Sequence, residues 1–181
     1  MFIVLEGIDG SGKSTLATMI AARCDGIIYA TPPEKYRKLR KHVDTSSNLQ
    51  KHYDFYRDAV TEASSEISAL LSSGKTVVCD RYWLSTLVYH MAGKMILDGS
   101  DFSQLVRPNL TVLLLVGPEE QVRRYRERGV EGGNNVDGFN VEINNLYWAA
   151  LVESKLPFIV INTDHYSLEQ ITDMIVAALP K

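Results

Sequence analysis

Gly7-Ile8-Asp9-Gly10-Ser11-Gly12-Lys13-Ser14-Thr15 is the stretch on which the reading of this chain turns. Gly7, Gly12, Lys13 and Ser14 fit G-x-x-x-x-G-K-[ST], a spacing with a physical reason at each position. Glycines let the backbone turn tightly with positive φ and bring several N–H groups onto one anion. The helix that follows adds the positive end of its dipole. Lys13 is then placed to reach β- and γ-phosphates, and the Ser14 hydroxyl to bind Mg²⁺. The flanks agree with this reading. Phe2-Ile3-Val4-Leu5 reads as a buried strand, and Leu16, Met19 and Ile20 are spaced for one face of a helix. The competing reading is a glycine-rich turn that binds nothing.

Outward from the loop, apolar runs recur at Phe2–Leu5, Gly26–Ala30, Thr76–Cys79, Leu110–Val116 and Phe158–Ile161, with helical patterns between them. Five short strands alternating with helices predict an α/β fold, a three-layer α/β/α P-loop NTPase domain with a parallel five-stranded sheet. Ligands in such sheets bind beyond the carboxyl ends of the strands. The chain has 181 residues, 45% apolar and 23% charged, and reads as one domain over 1–181 with a proper core. Its net charge of −3 argues against a broad affinity for nucleic acid or acidic membranes. No apolar run approaches the roughly 18 residues of a membrane span. A strand at the amino end predicts no signal or transit peptide, and Cys24 and Cys79 suit a reducing compartment, so the cytoplasm is the expected location. His42, His52, His90 and His165 are scattered, so no metal site built by protein ligands alone is expected.

Three further stretches carry chemistry. Thr76-Val77-Val78-Cys79 runs into Asp80-Arg81-Tyr82, and an acidic residue at a strand end is what a phosphate-loop enzyme needs beside Mg²⁺. Arg81 can grip phosphate bidentately, although a structural Asp–Arg pair is the alternative. Ser85 reads as capping or opening the next helix, with Tyr89 one turn on, so that both face one cleft. The second strand ends in Thr31-Pro32-Pro33, followed by the basic run 35–41, where Arg37 and Arg40 are candidate phosphate contacts or simply a solvated face. Pro118-Glu119-Glu120 reads as a helix start, and that helix ends in Arg123-Arg124-Tyr125-Arg126-Glu127-Arg128. The glycine-containing segment 129–138 then reads as a mobile lid.

These stretches together resemble the thymidylate kinase family over nearly the whole chain. Phe2 to Thr15 is similar to the family's opening, with Glu6 before the loop and Asp9 within it. Asp80-Arg81-Tyr82 with Ser85 and Tyr89 resembles D-R-Y-x-x-S-x-x-x-Y. Pro108-Asn109-Leu110, Pro118-Glu119 and the pair Arg124 and Arg128 follow in the family's order. Pro32-Pro33, Phe55-Tyr56 and Trp83 look closest to the branch that includes the mitochondrial UMP/CMP kinase.

The resemblance implies transfer of the ATP γ-phosphate to a (deoxy)nucleoside monophosphate, with a dTMP-like pyrimidine first, by a homodimer. The loop from Gly7 to Thr15, with Gly10, Ser11, Gly12, Lys13, Ser14 and Thr15, would hold ATP phosphates and Mg²⁺. Asp9 would contact the acceptor's sugar hydroxyl or phosphate region, and Arg81 its phosphate. Tyr82 would press on the sugar C2′, Phe55 would stack on the base, and Tyr89 would line the same pocket. Arg124 and Arg128 would neutralise charge in flight, and the loop Asn162–Ser167 would lie against adenine. Three departures stand out. Thr31-Pro32-Pro33-Glu34 lacks the family's arginine, Ala59 stands where bacterial members read thymine with arginine, and Gly10 stands where others place a catalytic arginine. A nucleoside kinase acting on a hydroxyl and a non-catalytic NTP-binding module are the other two readings.

Overall fold

The central strand of the sheet is β1 (Phe2–Glu6), buried at every position. Its side chains alternate between two apolar clusters. Phe2 and Val4 enter one, with Val60, Ile67, Cys79, Leu84 and Tyr147. Ile3 and Leu5 enter the other, with Leu16, Ile20, Val78, Leu114 and Ile175. Burial on both faces explains why the strand reads as an unbroken apolar run rather than an alternating one.

The computed structural model describes residues 1–129 and 137–180. After β1 come α1 (Lys13–Arg23), β2 (Gly26–Ala30), α2 (Glu34–Asp44), α3 (Leu49–Ser72), β3 (Thr76–Asp80) and α4 (Trp83–Ala92). A 3₁₀ turn at Ser100–Phe102 precedes β4 (Leu110–Leu115), α5 (Pro118–Glu127), α6 (Asp137–Ser154), β5 (Phe158–Asn162) and α7 (Leu168–Ala177). The five strands are all parallel, in the order β2-β3-β1-β4-β5. The expected α/β sheet is what the chain forms, with boundaries within a residue or two. The lid expected at 129–138 lies almost wholly outside the described residues.

Local signals explain the helix ends. Pro118 opens α5 with Glu119 and Glu120 in its first turn, and Asn48 accepts from the Lys51 N–H to cap α3. Ser167 and Gln170 form a reciprocal capping box on α7. The register then sets the site. Pairing Leu5 with Asp80 puts the end of β3 beside the loop that leaves β1. Strand order reverses about β1, so that loop opens into the crevice between β3 and β4.

Candidate active site

Gly7 leaves β1 with φ of 138°, and a Cβ there would meet the Leu114 carbonyl oxygen at 2.3 Å. Only glycine fits that close approach. Gly10, at φ 85°, is confined from the other side: a Cβ would come within 2.9 Å of Gln121 on α5. A side chain at this position, where others of the family place an arginine, would press on Gln121 unless Gln121 moved. The turn delivers the loop to the amino end of α1, where a cavity of about 560 Å³ is lined by Asp9, Gly10, Gly12, Lys13, Ser14, Thr15, Asp80, Arg81, Tyr125 and Arg128. Gly7 and Ser11 shape the loop from behind; Ser11 is fully buried.

Lys13 is only 6% exposed, and its Nζ donates to the Ile8 carbonyl at 2.7 Å. Burial, with help from the Arg81 cation, lowers its pKa to about 7. Across the cavity Ser14 Oγ donates to Asp80 Oδ2 at 2.5 Å. The two side chains expected to hold a metal therefore adjoin each other, both with hard oxygen donors.

Arg81 bridges this cavity and a second one of about 610 Å³, which Asp9, Asp80 and Arg81 also line. Its guanidinium donates to Asp9 Oδ1 at 2.5 Å, to Ser85 Oγ at 3.1 Å and to the Tyr147 hydroxyl at 3.4 Å. It lies over the Tyr89 ring, 5.5 Å from the centroid. Against the opposing effect of burial, Arg81 and then Lys13 hold the Asp9 carboxyl below its usual range. Behind Arg81 stands Glu6, fully buried, with its pKa raised by burial despite hydrogen bonds from Ser85 and Tyr82. Its carboxylate accepts from the Tyr82 N–H at 2.9 Å and the Ser85 N–H at 3.3 Å at the start of α4. Ser85 reads from sequence as capping or opening that helix. Instead Glu6 does so, and Ser85 Oγ donates to it at 2.5 Å.

The second cavity brings together most of the residues expected around an acceptor: Arg37 and Arg40 from α2, Arg81, Ser85 and Tyr89. Two expected members are elsewhere. Tyr82 is 1% exposed and packs edge-on against Phe2 at 5.3 Å, so its ring faces the core and not a sugar. Phe55 does not line the cavity either. It packs against Tyr36 and Tyr56, with centroids 5.3 and 5.2 Å away. The α3 side chains that do line the cavity are His52 and Tyr56, one turn apart at i and i+4. Ala59 is fully buried in the core.

The arginines of α5 divide. Arg124 Nη1 donates to the Gly10 carbonyl and to Thr163 Oγ1, each at 2.9 Å, Nη2 to the Thr163 carbonyl at 3.1 Å, and Nε to Glu120 at 2.7 Å. It ties the phosphate loop to the loop after β5 and does not line the phosphate cavity. Arg128 does line it. Both arginines also line a third cavity of about 440 Å³, between the phosphate loop and Thr163, Asp164, Tyr166 and Ser167, where adenine was expected. Sequence reasoning missed His52, His90, Tyr56, Gln121 and Tyr147. Gln121 Nε2 donates to the Asp9 carbonyl at 2.5 Å while its Oε1 accepts from Asn140 at 2.9 Å, joining the loop to α6.

Comparison with known proteins fits this geometry. The family model described as thymidylate kinase matches residues 5–175. A probable thymidylate kinase of Methanococcus aeolicus is 31% identical, covering 98% of this chain and 95% of that protein. One from Pyrococcus horikoshii is 33% identical over 71% of each, and a thymidylate kinase of Buchnera aphidicola is 30% identical over 85% of this chain and 79% of its own. A solved thymidylate kinase from Candida albicans superposes with a TM-score of 0.80 at 19% identity, covering 97% of this chain and 89% of that one, which bears on the fold alone. The closeness expected to the mitochondrial UMP/CMP kinase branch is not borne out: these relatives are archaeal and bacterial thymidylate kinases.

Proposed function

The chain belongs to the thymidylate kinase family and is an ATP-using phosphotransferase that phosphorylates nucleoside monophosphates, and from that premise we propose that dTMP is its leading acceptor, converted to the diphosphate. Neither a nucleoside kinase nor a non-catalytic module finds support among the relatives. The observation that carries the proposal is the wall shared by the phosphate cavity and the acceptor cavity, built from Asp9, Asp80 and Arg81. A donor phosphate on one side and an acceptor phosphate on the other would meet there.

Little covalent work falls to the protein in phosphoryl transfer, so position and charge are what these residues supply. The loop amides and Lys13 would hold the β- and γ-phosphates of ATP. Arg81, oriented by Ser85, Tyr147 and Asp9, would bind the acceptor phosphate from below and align its oxygen with the γ-phosphorus. Arg128 would approach the phosphoryl group from α5, while Arg124 keeps the Gly10 carbonyl in place. Ser14 and Asp80 fit Mg²⁺ in the chemistry of their oxygens, with phosphate oxygens and water to complete the set. Held by these two side chains, it would supply charge neutralisation at the transferring phosphates. A cytoplasmic location and a homodimer belong to the same proposal; α6 presents half-exposed Val141, Trp148 and Val152 for contact with a second copy. Sedimentation would check the dimer.

Coupled release of ADP across dTMP, dUMP, dCMP, dGMP, UMP, CMP and thymidine tests the function. dTMP is expected to give the highest kcat/KM. Turnover of thymidine without turnover of dTMP defeats the proposal.

A further inference from the structure

Glu6 ends β1 fully buried and lines neither the phosphate cavity nor the acceptor cavity, yet four donors converge on it. Oε1 accepts from the Tyr82 N–H at 2.9 Å and the Ser85 N–H at 3.3 Å. Oε2 accepts from Ser85 Oγ at 2.5 Å and from the Tyr147 hydroxyl at 3.3 Å. A proton on either oxygen would have to displace one of these donors. Burial pushes the Glu6 carboxyl up, but the Ser85 hydrogen bond and then the Arg81 cation act against it. With every lone pair facing a donor, the arrangement is that of a carboxylate anion.

The hydroxyls of Ser85 and Tyr147 stand between this anion and Arg81. Arg81 Nη1 donates to both, at 3.1 and 3.4 Å, and a guanidinium has no acceptor, so each oxygen turns a lone pair towards it. Each hydroxyl has one proton, and the two oxygens are 2.8 Å apart. If the Ser85 proton is on Glu6, Tyr147 donates to Ser85; if it is on Tyr147, Tyr147 donates to Glu6. Either way the protons run away from Arg81 and end on the carboxylate. Burial and then Glu6 push the Tyr147 hydroxyl well above its usual range, so it keeps its proton. Glu6 also reaches the backbone. Arg81 has φ of 68°, in the left-handed region that few residues besides glycine adopt. Its own N–H donates to the Leu5 carbonyl at 2.9 Å, and the Tyr82 N–H on Glu6 pins the peptide that follows. Strain held from both sides in this way is characteristic of functional sites.

Resting on the monophosphate kinase reading, which puts the acceptor phosphate on Arg81, we propose that Glu6 is a positioning residue for the transfer. Its carboxylate sets the direction of the Ser85 and Tyr147 hydroxyls and so holds Arg81 in the pose that grips the acceptor phosphate. A neutral isostere cannot do the same. The amide of a glutamine would keep its oxygen for the two backbone N–H groups and present its NH₂ to the hydroxyls. They would then have to accept from it and point their protons at Arg81, donor against donor.

Calorimetric binding of dTMP, thymidine and ATP tests this. Thymidine has the same base and sugar without the phosphate, so the ratio of the dTMP and thymidine affinities isolates the grip of Arg81. Glu6→Gln is expected to weaken dTMP by about tenfold and to leave thymidine and ATP within about twofold of the wild type. Removing a negative charge near Arg81 would by itself tighten phosphate binding, so the sign separates orientation from simple charge. A folded Glu6→Gln that binds dTMP as tightly as the wild type, or more tightly, overturns the proposal. Equal weakening of all three ligands overturns it too, since a merely structural role would do that. Ser85→Ala combined with Tyr147→Phe keeps the carboxylate and its backbone N–H bonds, and carries the test if Glu6→Gln does not fold. The dTMP-to-thymidine ratio is again expected to fall by about tenfold, and an unchanged ratio overturns the proposal. Where Glu6→Gln folds, adding it to that double variant should weaken dTMP no further, because the hydroxyls it acts through are gone. A wild type that binds dTMP no better than thymidine removes the parent placement of the phosphate together with this proposal. A ratio that Arg81→Ala abolishes and Glu6→Gln leaves intact removes the positioning role alone.

Discussion

Arg81 Nη2 and Asp9 Oδ1 lie 2.5 Å apart in the wall common to the phosphate and acceptor cavities. Arg81 also reaches Ser85 and Tyr147, so the guanidinium fork is held at more than one point before any phosphate arrives. Arg81→Ala is expected to lower kcat/KM by about 10²–10³-fold, the scale for losing one preorganised donor. Arg81→Lys should recover little of it, because a point charge cannot span the same partners. Steady-state kinetics on protein with an unchanged circular dichroism spectrum check both.

Arg124 and Arg128 are expected to separate cleanly. Arg124→Ala removes hydrogen bonds to Gly10, Thr163 and Glu120, so thermal stability falls and KM for ATP rises. Arg128→Ala, at an exposed position lining the phosphate cavity, should lower kcat and leave the melting temperature close to that of the wild type. Equal losses of stability in the two variants would contradict this division.

Lys13 gives a pH signature. Its folded pKa of about 7 lies below the unfolded value of 10.5, so between those values the unfolded chain binds more protons. Stability from this group therefore rises with pH across that window, and the cost of burying the cation is largest below pH 7. Lys13→Met should accordingly melt higher than the wild type near pH 6.5, with the gap closing towards pH 10. At pH 8 ATP binding should draw up to about one proton onto Lys13. Calorimetry in buffers of different ionisation enthalpy would detect it, and Lys13→Met should lose it.

Gly7→Ala combines a positive φ with a Cβ 2.3 Å from the Leu114 carbonyl oxygen. Strain of this kind costs about 1–3 kcal/mol, before any shift of β4 is counted. Denaturant unfolding is expected to show at least that loss.

Much of this architecture was legible because the signals were local. A strand buried on both faces reads as an apolar run, and Pro118, Asn48 and Ser167 mark helix starts wherever the chain goes next. The phosphate loop and Asp80 were legible for the same reason. The acceptor pocket was not, because it depends on the rotation of α3 against α4. One residue along a helix is about 100° around it. That suffices to place Tyr56 in the cavity and Phe55 beside Tyr36. His52 and His90 looked scattered because 38 positions separate them, and only the packing of two helices brings their rings into hydrogen-bond contact. Tyr82 belonged to a recognisable signature, yet the turn into α4 directs its ring at Phe2.

The wall shared by the two cavities has a practical corollary. Everything in it comes from the loop after β1 and the end of β3, whereas the opposite end of the acceptor cavity is supplied by α2, α3 and α4. Engineers who wish to retool this protein for an unnatural nucleobase can therefore confine their libraries to those three helices, and leave the transfer machinery in its original form.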